Sequence, residues 1–262
     1  GIPFQLSPST VAEALRDTDG LLVVDEADAI AQAKDRRKLA ELIKHLSDMG
    51  AAFKLLVVGI AETGDMLTGA HPSVQRCLKE TKLNRMLESE LELIITEGAA
   101  KIKPDFEDEA VAAIVKLSAG YPHFTHLLAL KCAEEAIASE KWFIVRGDVK
   151  SALKKAVDDA EGSLKRVYDA ATRSHSTDMY KEILAAACFA AKASDEFRAA
   201  NLRHAIEKRT GREISQQALN NFLKRLISER DETILRRVAK GIYRFNDPRM
   251  PSFIRMALGI MD

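Results

Sequence analysis

The sequence predicts an α/β unit with a parallel sheet, followed by a mostly α chain that closes in three helices and a β-hairpin. Three observations carry this expectation. Leu21-Leu-Val-Val24 and Leu55-Leu-Val-Val58 are unbroken aliphatic runs, the pattern of strands buried on both faces of a parallel sheet. Between them, residues 29–49 place Ile30, Leu39, Leu42, Ile43 and Leu46 at helical spacing, which makes a strand–helix–strand unit. Near the end of the chain, Ile234–Val238 and Ile242–Phe245 are strand-like runs joined through Lys240-Gly241, and three helix-period stretches precede them.

Taken in order, Ser9–Arg16 reads as a short amphipathic helix and Asp17–Gly20 as a turn into the first strand. Met49-Gly50 ends the helix between the strands. After Gly69 helices are predicted near 73–80, 88–101, 106–118 and 123–139, punctuated by Gly98, Pro104, Gly120 and Pro122. One further helix is predicted from Gly147 to about Arg173, and residues 174–177 form a capping segment and a domain boundary. Helices near 178–192, 198–209 and 215–229 follow, then the hairpin, then a last helix after Pro251.

The composition narrows the function classes. The chain of 262 residues balances 39 basic against 39 acidic side chains. From Ser163 to Asp262 there are 19 basic and 12 acidic residues, so residues 1–162 hold 20 and 27. That asymmetry makes the C-terminal part the candidate for an anionic partner. No apolar run reaches bilayer-spanning length, and residues 1–4 lack a signal-peptide start, so no membrane role and a cytoplasmic location are expected. Cys77, Cys132 and Cys188 are scattered in apolar helical contexts and read as buried thiols rather than a disulfide or zinc framework.

The sharpest chemical signal is Leu21-Leu-Val-Val-Asp25-Glu26. A strand delivers Asp25 to the C-terminal edge of a parallel sheet, where ligands of open α/β folds bind. There a carboxylate is a hard oxygen donor for Mg²⁺, and Glu26 can polarise a water. This is the Walker B pattern, and residues 19–99 resemble the AAA+ P-loop ATPases related to the origin-recognition initiator family and to the STAND signalling ATPases. The resemblance implies ATP and Mg²⁺ as cofactors in the complete protein, with Asp25 as the metal residue and Glu26 as the residue that activates water. The segment Phe53–Thr63 resembles the sensor 1 strand, which implies a phosphate- or water-sensing role for Glu62 or Thr63, although the family's Asn is missing. Residues 71–76 and Leu83–Met86 resemble the segment after sensor 1, which implies an arginine finger at Arg76, or at Arg85, and self-association through the ATPase core. Ser118–Leu128 resembles the start of the lid helix, and His123 stands about where a sensor 2 arginine is expected beside the nucleotide. His123 and His126, with no carboxylate between them, do not make a metal pair.

The sequence contains no Gly-x-x-x-x-Gly-Lys-Ser/Thr stretch. Without that loop's N–H groups and lysine, a triphosphate lacks its main anchor. Gly1 stands where a Met would begin a chain, and the P-loop portion is expected upstream. ATPase activity is therefore expected only where that portion is supplied. A degenerate relative that binds no nucleotide is the other expectation.

The three helices and hairpin at the end of the chain form a winged-helix pattern. As a DNA-binding module it would present Gln216, Gln217, Asn220, Asn221, Lys224 and Arg225 on its third helix, with Arg236, Arg237, Lys240 and Arg244 on the wing. Gln and Asn suit adenine edges, and Lys and Arg suit guanine or phosphate. Leu219, Phe222, Leu223, Leu226 and Ile227 read as that helix's core face. The expected architecture is a partial AAA+ core over 1–100, a helical lid and linker helix over 101–173, and a C-terminal winged-helix domain over 174–262. Three functions stay open at this point. One is an ATP-dependent protein that couples nucleotide state to DNA binding; another is a STAND-like switch whose winged helix contacts protein; the third is a nucleotide-free interaction module.

Overall fold

A computed structural model of the chain describes residues 6–60, 72–160, 162–173, 177–191, 196–227 and 233–261. The chain divides into two compact units, residues 1–83 and 84–262.

In the first unit, Pro8–Leu15 forms helix α1, capped by Ser7, whose side chain accepts the Thr10 amide while the Thr10 hydroxyl accepts the Ser7 amide. Strands β1 (Leu21–Val24) and β2 (Lys54–Val57) pair in parallel, with Leu22 opposite Leu55 and Val24 opposite Val57. Helix α2 (Ala33–Asp48) crosses between them, and the short α3 (Pro72–Gln75) packs on it. Alternation along a strand sends neighbouring side chains to opposite faces. Leu55 and Val57 meet the apolar stripe of α2, built from Ala40, Ile43 and Leu46. The other face carries Leu21, Val23, Leu56 and Val58 and stands open: Leu21 is 61% exposed, Val23 51% and Leu56 48%. This corrects the expectation of strands buried on both faces. Two strands and the helices beside them cover one side only, so the aliphatic runs are paired without being enclosed.

The second unit holds one continuous core that runs from Leu91 to Met256. Helices α4 (Glu88–Ala99), α5 (Asp108–Ser118) and α6 (Pro122–Ala138) pack with α7 (Arg146–Asp159), and the two-residue strands β3 (Asp105–Phe106) and β4 (Phe143–Ile144) pair in parallel beside them. The predicted helix from Gly147 to Arg173 is two helices. Ala160 turns extended, at φ −63° and ψ 160°, and α8 (Gly162–Thr172) starts afresh, which lets Leu164 and Tyr168 reach the same core. Gly120, at φ +87°, is required where α5 gives way to α6. A Cβ there would lie 2.5 Å from that of Arg85, and the Gly120 carbonyl accepts the Met86 amide at 3.0 Å.

Helix α9 (Met179–Ala190) buries Tyr180 and every residue from Ile183 to Cys188. Strand β5 (Glu196–Arg198), α10 (Ala199–Thr210), α11 (Gln216–Leu226), β6 (Leu235–Ala239) and β7 (Ile242–Phe245) follow. The three strands form one antiparallel sheet in the order β5-β7-β6. The last helix, α12 (Met250–Ala257), packs against α5, α7, α8 and α9. Phe253 and Ile254 are fully enclosed, and the Phe253 ring meets Tyr168 edge-on at 5.7 Å. The Tyr121 hydroxyl donates to the Pro248 carbonyl at 2.8 Å, and Ser252 Oγ donates to the Ser118 carbonyl. Burial pushes the Cys132 and Cys188 thiols and the Tyr168 phenol up to about 12. Among the described residues no helix is long and apolar enough to cross a membrane.

Two outcomes follow from this packing. Phe253→Ala removes a fully buried ring on a helix that packs against four others and should lower unfolding free energy by about 3–5 kcal/mol in urea denaturation. Asp148 accepts a hydrogen bond from Lys141, which holds its carboxyl below the usual range, and its other oxygen accepts the Val145 amide at the start of α7. A depressed folded pKa adds stability that is present above the unfolded carboxylate value and lost as pH falls through the folded one. Asp148→Asn should therefore cost up to about 1 kcal/mol at pH 7, and the gap from wild type should close as denaturation is repeated towards pH 3.

Candidate functional site

The first unit places its acidic residues where β1 and β2 both end. Four aliphatic residues extend β1, and the chain then breaks sharply: Glu26 sits in the left-handed region at φ 52° and ψ 39°, which costs a side-chain-bearing residue roughly 1–2 kcal/mol. The turn is stitched from both sides. Asp25 Oδ1 accepts the Glu26 amide at 2.8 Å, and the amide of fully buried Ala27 donates to the Val58 carbonyl at 2.9 Å. Asp28, in the short 3₁₀ turn Ala27–Ala29, accepts the Ile60 amide at 2.9 Å. The exits of the two strands are thus bound together, and the Asp25 and Glu26 side chains are exposed at the C-terminal edge of the sheet. Sequence reasoning misses Asp28; a short acidic residue one turn past the strand is a weak signal until the exit of β2 is seen to lie beside it.

The edge offers the hard, anionic oxygen that Mg²⁺ takes alongside phosphate and water. The donors fit the metal side of a Mg²⁺–nucleotide site. The sequence supplies no glycine-rich cradle for the phosphates, so the same residues do not fit a triphosphate by themselves. Among the described residues no group of three or more His, Cys, Asp or Glu gathers in metal-holding range. Glu62 and Thr63, expected at the end of the second strand, lie outside the described residues. Arg76 follows α3 directly and is exposed. In the second unit, Arg85 stacks its guanidinium over the Tyr121 ring at 4.8 Å. His123 is exposed in the first turn of α6, its ring 5.4 Å from that of Phe124.

The second unit gathers the residues expected at a nucleic-acid interface on two surfaces. Ser215 caps α11 by accepting the Ala218 amide at 3.1 Å. Leu219, Leu223 and Leu226 are buried along one side of the helix, and Phe222 meets Tyr180 edge-on at 5.0 Å. Gln216, Gln217, Asn220, Asn221 and Lys224 are exposed on its other side, with Gln216 donating to Asn220 at 3.0 Å. Arg225 is placed differently. Its guanidinium lies 4.4 Å from the centre of the Tyr180 ring and donates to the Arg173 carbonyl, which ties α11 to the end of α8. On the sheet, Phe197, Tyr243 and Phe245 face the core, while Arg236 and Arg244 are opposite each other on the outer side. Arg237 sits at a bulge and donates to the Ala239 carbonyl, and Lys240 is exposed at the Gly241 turn, whose φ of 74° a glycine adopts without strain. Elsewhere a shallow cleft of about 540 Å³ is lined by Tyr168, Asp169, Arg173, Asp178 and Lys181, whose mixed charges converge on no single ligand type.

Glu26→Gly removes the left-handed strain and should raise stability by up to about 1 kcal/mol in chemical denaturation, because glycine's larger unfolded-state entropy offsets part of the gain. A fall in stability instead would show that the Glu26 side chain holds the turn together.

No family model matches the chain, and no curated protein matches it. Its outline is similar to several solved structures. With the Aeropyrum pernix ORC2 protein, solved as ADPNP and ADP complexes, it shares 16% identity over 100% of this chain and 72% of that one, at a TM-score of 0.47. With the R170A variant of Thermotoga maritima RuvB it shares 15% identity over 93% of this chain and 74% of that one, at 0.46. With Drosophila ORC, solved bound to DNA, the values are 15%, 97%, 62% and 0.43. These are likenesses of outline between distant sequences.

Proposed function

We propose that this chain is the C-terminal portion of an AAA+ ATPase, in which nucleotide state is coupled to DNA binding through a winged-helix module. The observation that carries the reading is the parallel β1–β2 pair, which ends with Asp25, Glu26 and Asp28 laced to the exit of β2. Ligands of open α/β sheets bind at that edge. Asp25 would hold Mg²⁺ together with phosphate oxygens, and Glu26 would orient water. Mg²⁺ supplies charge neutralisation at the phosphates; the cradle for them would come from polypeptide outside these 262 residues. The open aliphatic face of the sheet supports this, since parallel sheets are ordinarily covered on both faces. Arg76 would serve a neighbouring copy as an arginine finger. In the second unit, α9, α10, α11 and the sheet read as a winged helix, and the exposed amides of α11 are suited to adenine edges.

A specific observation favours a second reading. Arg225, which would contact DNA in the first, is held by Tyr180 and the Arg173 carbonyl. A module anchored in this way to the helix before it suits a regulatory switch that contacts protein.

The test is a titration of the chain with a fluorescent ATP analogue and Mg²⁺, followed by a duplex-DNA titration over a salt series. The expected results are no tight nucleotide binding by this portion alone, and DNA binding that weakens as salt rises. Nucleotide binding that Asp25→Ala abolishes would mean that the chain grips phosphate without a P-loop. DNA binding that is absent at low salt would leave the protein-contact reading.

A further inference from the structure

The basic excess of the second unit is unevenly placed, and its densest concentration is on the small sheet rather than on α11. The strands β5, β6 and β7 and the turn joining the last two carry Arg198, Arg236, Arg237, Lys240 and Arg244 against a single carboxylate, Glu196. The pairing register sorts them. Glu196, Arg244 and Arg236 form one row across the strands, and Arg198, Ile242 and Ala239 form the row two residues away. Residues two apart on a strand share a face, so Arg198, Arg244 and Arg236 stand on the same side of the sheet, while Phe197, Tyr243 and Phe245 fill the core side. Arg236 and Arg244 are direct cross-strand neighbours, a like-charge placement that works against a sheet. Arg198 is exposed at the edge of that face, and Arg237 and Lys240 are exposed at the turn end.

Helix α11 is poor in cations by comparison. Of its two, Lys224 and Arg225, the second is committed to Tyr180 and Arg173. What α11 exposes otherwise is amide: Gln216, Gln217, Asn220 and Asn221. Neutral amides read base edges and contribute little to counterion release, whereas guanidinium groups bind phosphate in a fork and drive it.

We propose that the outer face and turn of the β5-β7-β6 sheet form the phosphate-contact surface for duplex DNA, with Arg198 as a binding residue, and that α11 contributes base contacts without carrying the affinity. This rests on the reading of the second unit as a DNA-binding module. Removing one phosphate-binding cation lowers the slope of log affinity against log salt by about one, and weakens affinity roughly tenfold near 0.1 M salt.

The experiment is fluorescence anisotropy of a labelled duplex with the whole 262-residue chain over a potassium chloride series. It compares wild type, Arg198→Ala with Lys240→Ala, Arg198→Lys, Lys224→Ala, and Gln217→Ala with Asn221→Ala. Equal melting temperatures establish that the surface variants are folded. The expected result is a slope lower by about two in the Arg198→Ala, Lys240→Ala protein, a slope kept in Arg198→Lys, and altered sequence preference with unchanged slope in the α11 amide variant. An unchanged slope in the sheet variant, with a lowered one in Lys224→Ala, would overturn the inference and leave DNA binding standing on α11. Absence of salt-dependent binding by wild type would overturn both this inference and the DNA-binding reading beneath it.

Discussion

The second unit depends on the burial of its last helix. Met250, Phe253, Ile254 and Met256 of α12 fill a space that α5, α7, α8 and α9 each line in part. Helices of the expected lid and helices of the expected terminal domain therefore share one core, although the residues that join them are the last to be made. Polar groups fix the fit: Tyr121 on the Pro248 carbonyl, Ser252 on the Ser118 carbonyl, and Arg146 on the Met261 carbonyl at 3.3 Å. The exposed surfaces of α11 and the sheet are held in place by this shared core. Their side chains can be adapted to a partner because they contribute little to it.

The first unit obeys a different constraint. A parallel pair needs a crossover, and α2 provides it while covering one face. The other face keeps aliphatic side chains that water does not favour. The turn at its end is held by backbone groups and by Asp28, at the cost of a left-handed Glu26. Strain at a carboxylate on the edge of a sheet is of the kind that persists where surrounding contacts over-determine it. Here those contacts are the Ala27–Val58 and Asp28–Ile60 hydrogen bonds.

Much of this is legible in the residues. Unbroken aliphatic runs mark β1 and β2, helical periodicity marks α2 and α4 to α6, and the Lys240-Gly241 turn marks the hairpin. Strands β3, β4 and β5, two or three residues long, are not legible, because so short a run has no period to read. The break at Ala160 is hidden for a related reason: neither glycine nor proline stands there, and the turn follows from where Leu164 and Tyr168 find the core. The open face of the first sheet cannot be read either, since an aliphatic run states what a strand prefers and not what lies against it. At the candidate interface, helical spacing identifies Gln216, Gln217, Asn220, Asn221 and Lys224, and all five are exposed. The engagement of Arg225 is invisible in sequence, because its partner Tyr180 lies on another helix. Arg198 carries no sequence signal because its significance comes from register with β7, a property of pairing and not of local sequence.

Arg225 and Arg198 together show why counting charge along a segment misplaces a polyanion surface. A guanidinium is planar and weakly hydrated, so it stacks on an aromatic ring as readily as it pairs with phosphate. On a helix packed against Tyr180 the first option is at hand, and a cation that looks available in sequence becomes part of the fold. On the outer side of an antiparallel sheet whose aromatic residues all face inward, no ring is presented, and successive arginines accumulate at the spacing of the strands. The same aromatic residues that build the core, Tyr180 beneath α11 and Phe197, Tyr243 and Phe245 beneath the sheet, thereby decide which arginines are drawn into the fold and which face outward.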